Sequence, residues 1–213
     1  MVRFAPAWRV SDASRGIAPV PAQEVPGPSG EATGSVSSPQ GKRWRKALIA
    51  LAVVFIAVCA ATARLFVWPD QGMPARVNAI VMLDGPGEAF NVAVRLAAQH
   101  RASFLVVSRG TLASRDPCPR PVPGVTLICF NPRPATTQGE AEFVGGLARK
   151  YHWQSVAVVA ITPQDSRARL RVERCFDGHV YLVTAPIRLN SWPYQIAYEW
   201  GALIKALVIQ RSC

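Results

Sequence analysis

The feature that most constrains this chain is an apolar block without charge that begins directly after a basic cluster. Four cations at positions 42–46 are followed by residues 47–63, in which no side chain is charged. The hydrocarbon core of a bilayer requires about 20 helical residues, and the block reaches this length together with the apolar residues 65–68. An uncharged stretch of this length is unusual in a buried helix of a soluble protein. The block therefore predicts one transmembrane helix over residues 47–68.

The residues that flank the block predict its orientation. Trp44 and Trp68 stand at its two ends, where aromatic side chains favour the headgroup level, and Arg64 can extend its long side chain to the same interface. The basic cluster precedes the block, and cations are enriched on the cytoplasmic side of a membrane. We therefore expect a single-pass protein of the cell membrane, in contact with the lipid bilayer, with its N-terminus in the cytoplasm and its C-terminal part outside it.

A cleaved secretory signal is the competing interpretation of the same block. Ala61, Thr62 and Ala63 are small enough to form a cleavage site. However, more than 40 residues precede the block, and the block is longer than the apolar region of an ordinary signal peptide. These features favour an uncleaved anchor. Both interpretations place the remainder of the chain outside the membrane.

The residues before the block predict a disordered cytoplasmic tail over residues 1–46. Residues 1–41 are rich in Pro, Gly, Ser and Ala, and such a segment buries too little apolar surface to offset its conformational entropy. This tail with the basic cluster contains seven cations and three acids, and so accounts for +4 of the formal net charge of +11. The remainder is only moderately basic, and no helix combines a Lys/Arg stripe with aromatic residues. We therefore expect no nucleic-acid partner.

Residues 77–213 alternate short apolar runs with segments of helical periodicity. Strands are predicted at residues 77–83, 104–108, 125–130, 156–161 and 179–184, and helices at residues 88–100, 137–151, 166–175 and 193–209. Strands that are almost continuously Val, Ile and Leu are typical of a parallel sheet covered on both faces. With right-handed crossovers, this pattern predicts an α/β domain with a Rossmann-like three-layer sandwich.

Four of the five cysteines lie in this α/β domain, outside the predicted reducing compartment. Cys118 and Cys129 bracket a Pro-rich loop, and Cys175 and Cys213 remain as the second pair. Thiols in an oxidising compartment tend to pair, although four cysteines allow three connectivities. Disulfides Cys118–Cys129 and Cys175–Cys213 are the favoured pairing. A zinc site is the alternative, but no Cys-x-x-Cys or paired His spacing supports a metal.

Two polar segments follow the first two predicted strands. Ligands of parallel α/β sheets bind beyond the carboxyl ends of the strands. Asp84 and Gly85 follow the first strand, in a loop whose glycines let the backbone approach an anionic group at the start of a helix. Ser108 and Gly110 follow the second strand. The alternative is that these glycines serve only the tight turns, which require glycine for steric reasons.

Two further polar segments open helices. Thr136 or Thr137 can cap the helix that follows, with Glu140 at capping-box distance from Thr137. Arg167 and Arg169 stand at the start of a very basic helix, where cations oppose the helix dipole. A ligand anion or a carboxylate partner such as Glu140 explains them, since the guanidinium group binds phosphate or carboxylate through two hydrogen bonds. A solvated basic face is the alternative.

The four segments, in this order and at these strand ends, resemble the YdcF-like family of SanA- and ElyC-type domains of unknown function. The resemblance covers residues 77–208, and the chain's ending at residues 198–213 is similar to an actinobacterial branch. It implies a Rossmann-like fold, a cleft lined by polar residues and a role in the cell envelope, with no agreed reaction, and the cofactor stays unknown. Two positions depart from the family pattern: Ser166 stands where the family has His, and Ala89 where Arg is common.

Two functions are compatible with these residues. In the first, the cleft binds an anionic small molecule or a lipid-linked phosphate, with Glu140 or Asp84 as the catalytic base and Arg169 stabilising negative charge if the protein is a hydrolase or transferase. In the second, the site is degenerate and the protein is a non-enzymatic envelope scaffold, because Ser166 and Ala89 remove an acid/base and an anion contact. A cytoplasmic nucleotide-binding enzyme is disfavoured by the membrane span.

The topology gives the first testable prediction. A tag fused after Cys213 should be digested by protease added to intact spheroplasts, because the predicted anchor delivers the C-terminal domain to the exterior. A tag fused before Met1 in the same experiment should be protected. Digestion of the N-terminal tag with protection of the C-terminal tag would show the opposite orientation.

Overall fold

The computed structural model of the chain describes residues 39–110, 118 and 120–213, and only the backbone of residues 39–42. The predicted disorder of residues 1–38 lies outside the described residues. Within this part of the chain, Arg45–Cys213 forms one compact unit. Its fold belongs to the α/β class, with a parallel sheet, as predicted.

One long helix precedes the sheet. Helix α1 spans Pro39–Thr62 and continues as a π-helical turn over Ala63–Val67. The 25-residue stretch Arg43–Val67 is long and apolar enough to cross a membrane, and none of its apolar window is buried within the chain. Residues 39–46 were expected in the disordered tail, but they are helical. Proline is tolerated in the first turn of a helix, and the Gln, Lys and Arg residues that follow it favour helix.

The described residues contain a five-stranded sheet in which all paired strands are parallel. Its strands are β1 (Val77–Met82), β2 (Ala102–Ser108), β3 (Thr126–Phe130), β4 (Ser155–Ile161) and β5 (His179–Ala185). Their order is β3-β2-β1-β4-β5, so β1 is central, with β2 on one side and β4 on the other. The strand order therefore changes direction between β1 and β4.

Helices cover both faces of this sheet. On one face, α2 (Ala89–Ala98) packs Ala93 against alternate strand residues such as Ile80. On the other face, α3 (Thr137–Tyr151) and α4 (Asp165–Cys175) pack against residues such as Val81. Because both faces are buried, the central strands read as almost uninterrupted apolar runs rather than alternating ones.

The last helix, α5 (Trp192–Val208), packs against α4 and the short 3₁₀ turn that precedes it. Two arginines of α4 strengthen this contact: Arg171 and Arg174 donate hydrogen bonds to the backbone carbonyl of Gln210, and Arg174 also to that of Ala206. Carbonyls at a helix C-terminus carry partial negative charge and favour cations. Part of the basic character of α4 therefore serves the attachment of α5.

The end of α1 and the π-helical turn that follows it are fixed to the same two helices. Phe66 is fully buried, and its ring meets the ring of Trp200 edge to face, with the centroids 5.2 Å apart. The Trp200 indole N–H donates to the Thr62 hydroxyl oxygen at 3.1 Å, and the Ser166 hydroxyl donates to the Leu65 carbonyl at 2.6 Å. The π-helical turn is therefore part of the packed domain rather than a free linker.

Two disulfides close the domain, Cys118–Cys129 and Cys175–Cys213, which is the pairing that the sequence favours. The second ties the end of α4 to the C-terminus, beyond α5. The remaining cysteine, Cys59, is exposed on α1. The disulfides are consistent with an oxidising compartment.

Because the end of the long apolar helix packs against the domain, substitution of two of its phenylalanines should change the stability of the chain by different amounts. Phe66→Ala removes a fully buried ring and should lower the free energy of unfolding of the full chain in detergent by about 3–5 kcal/mol. Phe55→Ala, at a ring that is 68 % exposed, should leave it nearly unchanged. Urea unfolding of both variants measures the difference, and equal effects would show that the anchor does not pack on the domain.

Candidate functional site

A polar cleft lies at the carboxyl ends of β1 and β4, where the strand order changes direction. This is the position at which open parallel sheets bind their ligands. The cavity has a volume of about 390 Å³. Its walls are the loop after β1, the residues that open α3, the start of α4, and one side of α5.

The loops after β1 and β2 meet at Asp84. Asp84, a catalytic candidate, and Gly85 and Gly110, ligand-binding candidates, all line the cleft. Gly110 has φ +47°, and a Cβ at this position would overlap the Asp84 carboxylate. A residue without a side chain is therefore required at position 110 so that the Asp84 carboxylate can occupy the floor of the cleft.

Thr136 and Thr137 line the cleft where α3 begins. Thr136 is the N-cap, and its hydroxyl oxygen accepts the Gly139 backbone N–H at 3.3 Å. The capping box expected between Thr137 and Glu140 does not form, since the cap is one residue earlier. The Glu140 carboxylate instead accepts the Asp84 backbone N–H at 2.8 Å. Glu140 thus joins the start of α3 to the loop after β1.

The Glu140 carboxyl group is almost completely buried, and this changes its acidity. Burial raises its pKa from the ordinary value of 4.5 to about 7. The Asp84 backbone N–H and the Ser108 hydroxyl favour the ionised form and oppose the shift, whereas the Asp84 carboxylate adds to it. A carboxyl group with a pKa near neutrality can both accept and donate a proton under physiological conditions.

The cation of the cleft is Arg167, and its partner is a residue that sequence reasoning did not find. Arg167 donates to both carboxylate oxygens of Glu199 on α5, at 2.6 and 2.8 Å, and to the Thr137 hydroxyl oxygen at 2.6 Å. Glu140 was expected as the carboxylate partner, but Glu199 takes that role. The three bonds use three of the five guanidinium N–H groups.

Two residues predicted for the cleft do not line it. The Arg169 side chain is exposed and pairs with Glu173 one turn further along α4, at 2.7 Å. Positions 167 and 169 are about 200° apart around a helix, so only one of them can face the cleft. Ser108 is fully buried behind the cleft, beside Glu140. Ser166 also lies outside, bound to the anchor.

A second buried carboxyl group lies behind the cleft at the start of α4. Asp165 is fully buried, and neither of its carboxylate oxygens accepts a hydrogen bond from the described residues. Burial, with a contribution from the negative charge of Glu199, raises its pKa to about 8. Asp165 is therefore mainly protonated at neutral pH, and this protonation avoids an isolated buried charge.

The α5 wall is the part of the cleft that sequence reasoning missed. Tyr194, Gln195, Tyr198 and Glu199 all contribute to the lining. They follow no strand end, so the rule that predicted the other loops does not reach them. The only sequence signal is a lone acid, Glu199, in an otherwise uncharged first half of a helix.

The described residues contain no group of three or more His, Cys, Asp or Glu side chains placed to hold a metal ion. Comparison with known proteins finds no match among family models, curated proteins or solved structures. The residues of the cleft are therefore the basis for any assignment of function.

The raised pKa of Glu140 predicts a pH-dependent stability. Between pH 4.5 and 7 the folded chain keeps the proton that the unfolded chain releases, so the free energy of unfolding falls as pH rises through this window. The loss from this group should be about 3 kcal/mol. Glu140→Gln, which keeps an acceptor for Asp84, should remove this part of the loss.

Urea unfolding at pH 5 and pH 8 measures the effect. The parent chain should lose more stability across this range than Glu140→Gln. Glu142→Gln, a partly exposed position on the same helix, should behave as the parent. Asp165 adds a fall in the same direction in all three proteins, so the difference between them isolates Glu140. An unchanged slope in Glu140→Gln would contradict a proton held at that site.

Proposed function

We propose that this protein is a membrane-anchored protein of the cell envelope whose extracytoplasmic cleft binds an anionic small molecule or a lipid-linked phosphate. Its domain is a Rossmann-like three-layer sandwich of the YdcF-like type, held by a single-pass anchor with the N-terminus in the cytoplasm. The observation that carries the proposal is the convergence of Glu140, Arg167 and the start of α3 on one cleft at the β1/β4 switch.

The charges of the cleft favour a ligand with a phosphate group that can share a proton with Glu140. Arg167 is already paired with Glu199, so the cleft does not offer an unopposed cation. Arg167 and the N-terminus of α3 are the donors to an anion. Glu140, with a pKa of about 7, can add a third donor when it is protonated. A ligand with its own pKa near neutrality, such as a phosphate monoester, matches this set.

The same groups suit proton transfer. When ionised, Glu140 can accept a proton from an attacking hydroxyl or water, and when protonated it can return one to a leaving oxygen. Asp84 supplies a second carboxyl group on the cleft floor. Arg167 would stabilise negative charge that develops on the transferred group, the role first predicted for Arg169. Hydrolase or transferase chemistry on a phosphoester follows from these assignments.

A non-enzymatic scaffold is the second candidate, and the position of Ser166 favours it. The family has His at this point, but here the Ser166 hydroxyl is bound to the Leu65 carbonyl and supports the anchor. Ala89 is buried in the other face of the domain and adds no anion contact. Turnover of a chromogenic phosphomonoester by the parent chain, lost in Glu140→Gln, would favour the enzyme, whereas binding without turnover would favour the scaffold.

Two arginines of one helix test the binding proposal. Arg167→Lys keeps the positive charge but loses the planar fork, and it should weaken binding of a short-chain polyprenyl phosphate at least tenfold. Arg169→Lys, two residues away and outside the cleft, should bind as the parent does. Titration of the full chain in detergent, followed by the shift in melting temperature, measures both. Equal affinities for all three proteins would remove Arg167 from the site.

The ligand class is tested in the same titration. Inorganic phosphate and a phosphate monoester of a small alcohol distinguish a soluble anion from a lipid-linked one. Stabilisation by either source at the Arg167 site supports the proposal. If neither these anions nor the polyprenyl phosphate stabilises the parent chain, the cleft does not bind phosphate.

A further inference from the structure

The exposed apolar surface of the domain is concentrated on its last helix. Within residues 69–213, nine described large hydrophobic side chains are exposed, and two of them are Phe143 and Tyr151. The other seven fall within residues 189–209, and they are Leu189, Tyr194, Tyr198, Ile204, Leu207, Val208 and Ile209. An apolar surface of this kind on a single element indicates an interaction site.

The apolar residues follow helical periodicity. Tyr194, Ala197, Gly201, Ile204 and Val208 recur every three or four residues and are all exposed, so they share one side of α5, called here the outer face. The opposite side carries the buried residues Glu199, Leu203 and Ala206. Helix α5 is thus apolar on both sides, although only one side packs against the domain.

The charges around the outer face are positive. Between Leu189 and Cys213 the chain has a single acid, Glu199, which is 1 % exposed and paired with Arg167. Exposed cations flank the helix at Arg188, Lys205 and Arg211. An apolar face with cations at its borders is typical of a helix that lies in the interface of an anionic bilayer.

Helix α5 contacts the end of the membrane anchor. Trp200, in the middle of α5, is bonded to Thr62 at the end of the span and packs against Phe66. Helix α5 is therefore held where the anchor leaves the membrane. The headgroup region adds only about 5–8 Å beyond the hydrocarbon. A helix pointing straight away from the membrane would leave it within about one and a half turns, yet the apolar exposure of α5 continues to Ile209.

We propose that the outer face of α5 lies in the interfacial region of the bilayer, against anionic lipid headgroups, in the leaflet at which the anchor ends. The Tyr194 and Tyr198 rings occupy the level that aromatic residues prefer, and the flanking cations contact the headgroups. The opening of the cleft, which shares Tyr194 with this face and is also lined by the neighbouring Tyr198, then lies at the membrane surface. The proposal requires the anchor to span the bilayer, but it does not depend on the identity of the ligand.

Spin labels on the full chain in nanodiscs test this placement. Ile204→Cys and Val208→Cys, each with Cys59→Ala, replace exposed side chains and should preserve the fold. Ala98→Cys, also with Cys59→Ala, is an exposed position at the end of α2 on the opposite face of the sheet and is the matched control in water. The native Cys59 of the parent chain is the control in lipid. Collision rates with oxygen report lipid, and those with a water-soluble nickel chelate report solvent.

In nanodiscs that contain anionic lipid, labels at positions 204 and 208 should collide more with oxygen than with nickel, as the label at Cys59 does, and the label at position 98 should show the reverse. Solvent-type collisions at 204 and 208, with Cys59 in lipid, would overturn the proposal and leave the anchor intact. Dipolar broadening between labels, with exclusion of both reagents, would show instead that a second copy of the chain covers this face. A solvent-exposed Cys59 would remove the anchor itself.

The variant Lys205→Glu tests whether the outer face contacts anionic lipid. Lys205→Glu places an acid at the border of the outer face and should reduce the oxygen signal at position 208 at least twofold. The reduction should be larger in nanodiscs of mixed anionic and zwitterionic lipid than in purely zwitterionic ones. No dependence on lipid charge in either protein would contradict contact with anionic headgroups.

Discussion

The buried ion pair between Arg167 and Glu199 is the interaction on which the arrangement of the site depends. Arg167 opens α4 beneath the cleft, and Glu199 lies on α5, so their two hydrogen bonds set the distance between these helices. Loss of either partner would leave an uncompensated buried charge, which typically costs about 3–5 kcal/mol. With this pair in place, α5 forms a wall of the cleft and Trp200, the next residue, meets the end of the anchor.

The cleft and the anchor therefore share one support. The end of α1 binds Ser166 and Trp200, and the residues next to these, Arg167 and Glu199, face the cleft. A change in the position of the anchor would act on the ion pair through a single residue on each helix. Ser166 and Arg167 are neighbours in the chain and therefore lie on different sides of α4. The Ser166 side chain is bonded to Leu65, whereas the Arg167 side chain faces the cleft.

Two carboxyl groups of the site are weaker acids than usual because they are buried. Glu140 and Asp165 are both buried and have raised pKa values, of about 7 and about 8, since little solvation compensates their ionisation. Glu199 is equally buried but is held by the Arg167 guanidinium at two points. Helix α4 thus begins with Asp165, whose pKa is raised, close to the Arg167–Glu199 ion pair. In the cleft, the pKa of Glu140 is close to neutral pH.

The sequence by itself determined the parts that depend on local pattern. The uncharged block identified a helix long and apolar enough to cross a membrane, apolar runs identified the strands, and the rule for strand ends brought Asp84, Thr137 and Glu140 to one edge. It did not decide between Arg167 and Arg169, because the rotation of a helix depends on what packs against it. The tertiary structure alone assigned Glu199, 32 residues beyond Arg167, to the site, and placed the apolar outer face of α5 beside the anchor. Contacts between elements distant in the chain depend on how those elements pack, and no local pattern of residues records that packing.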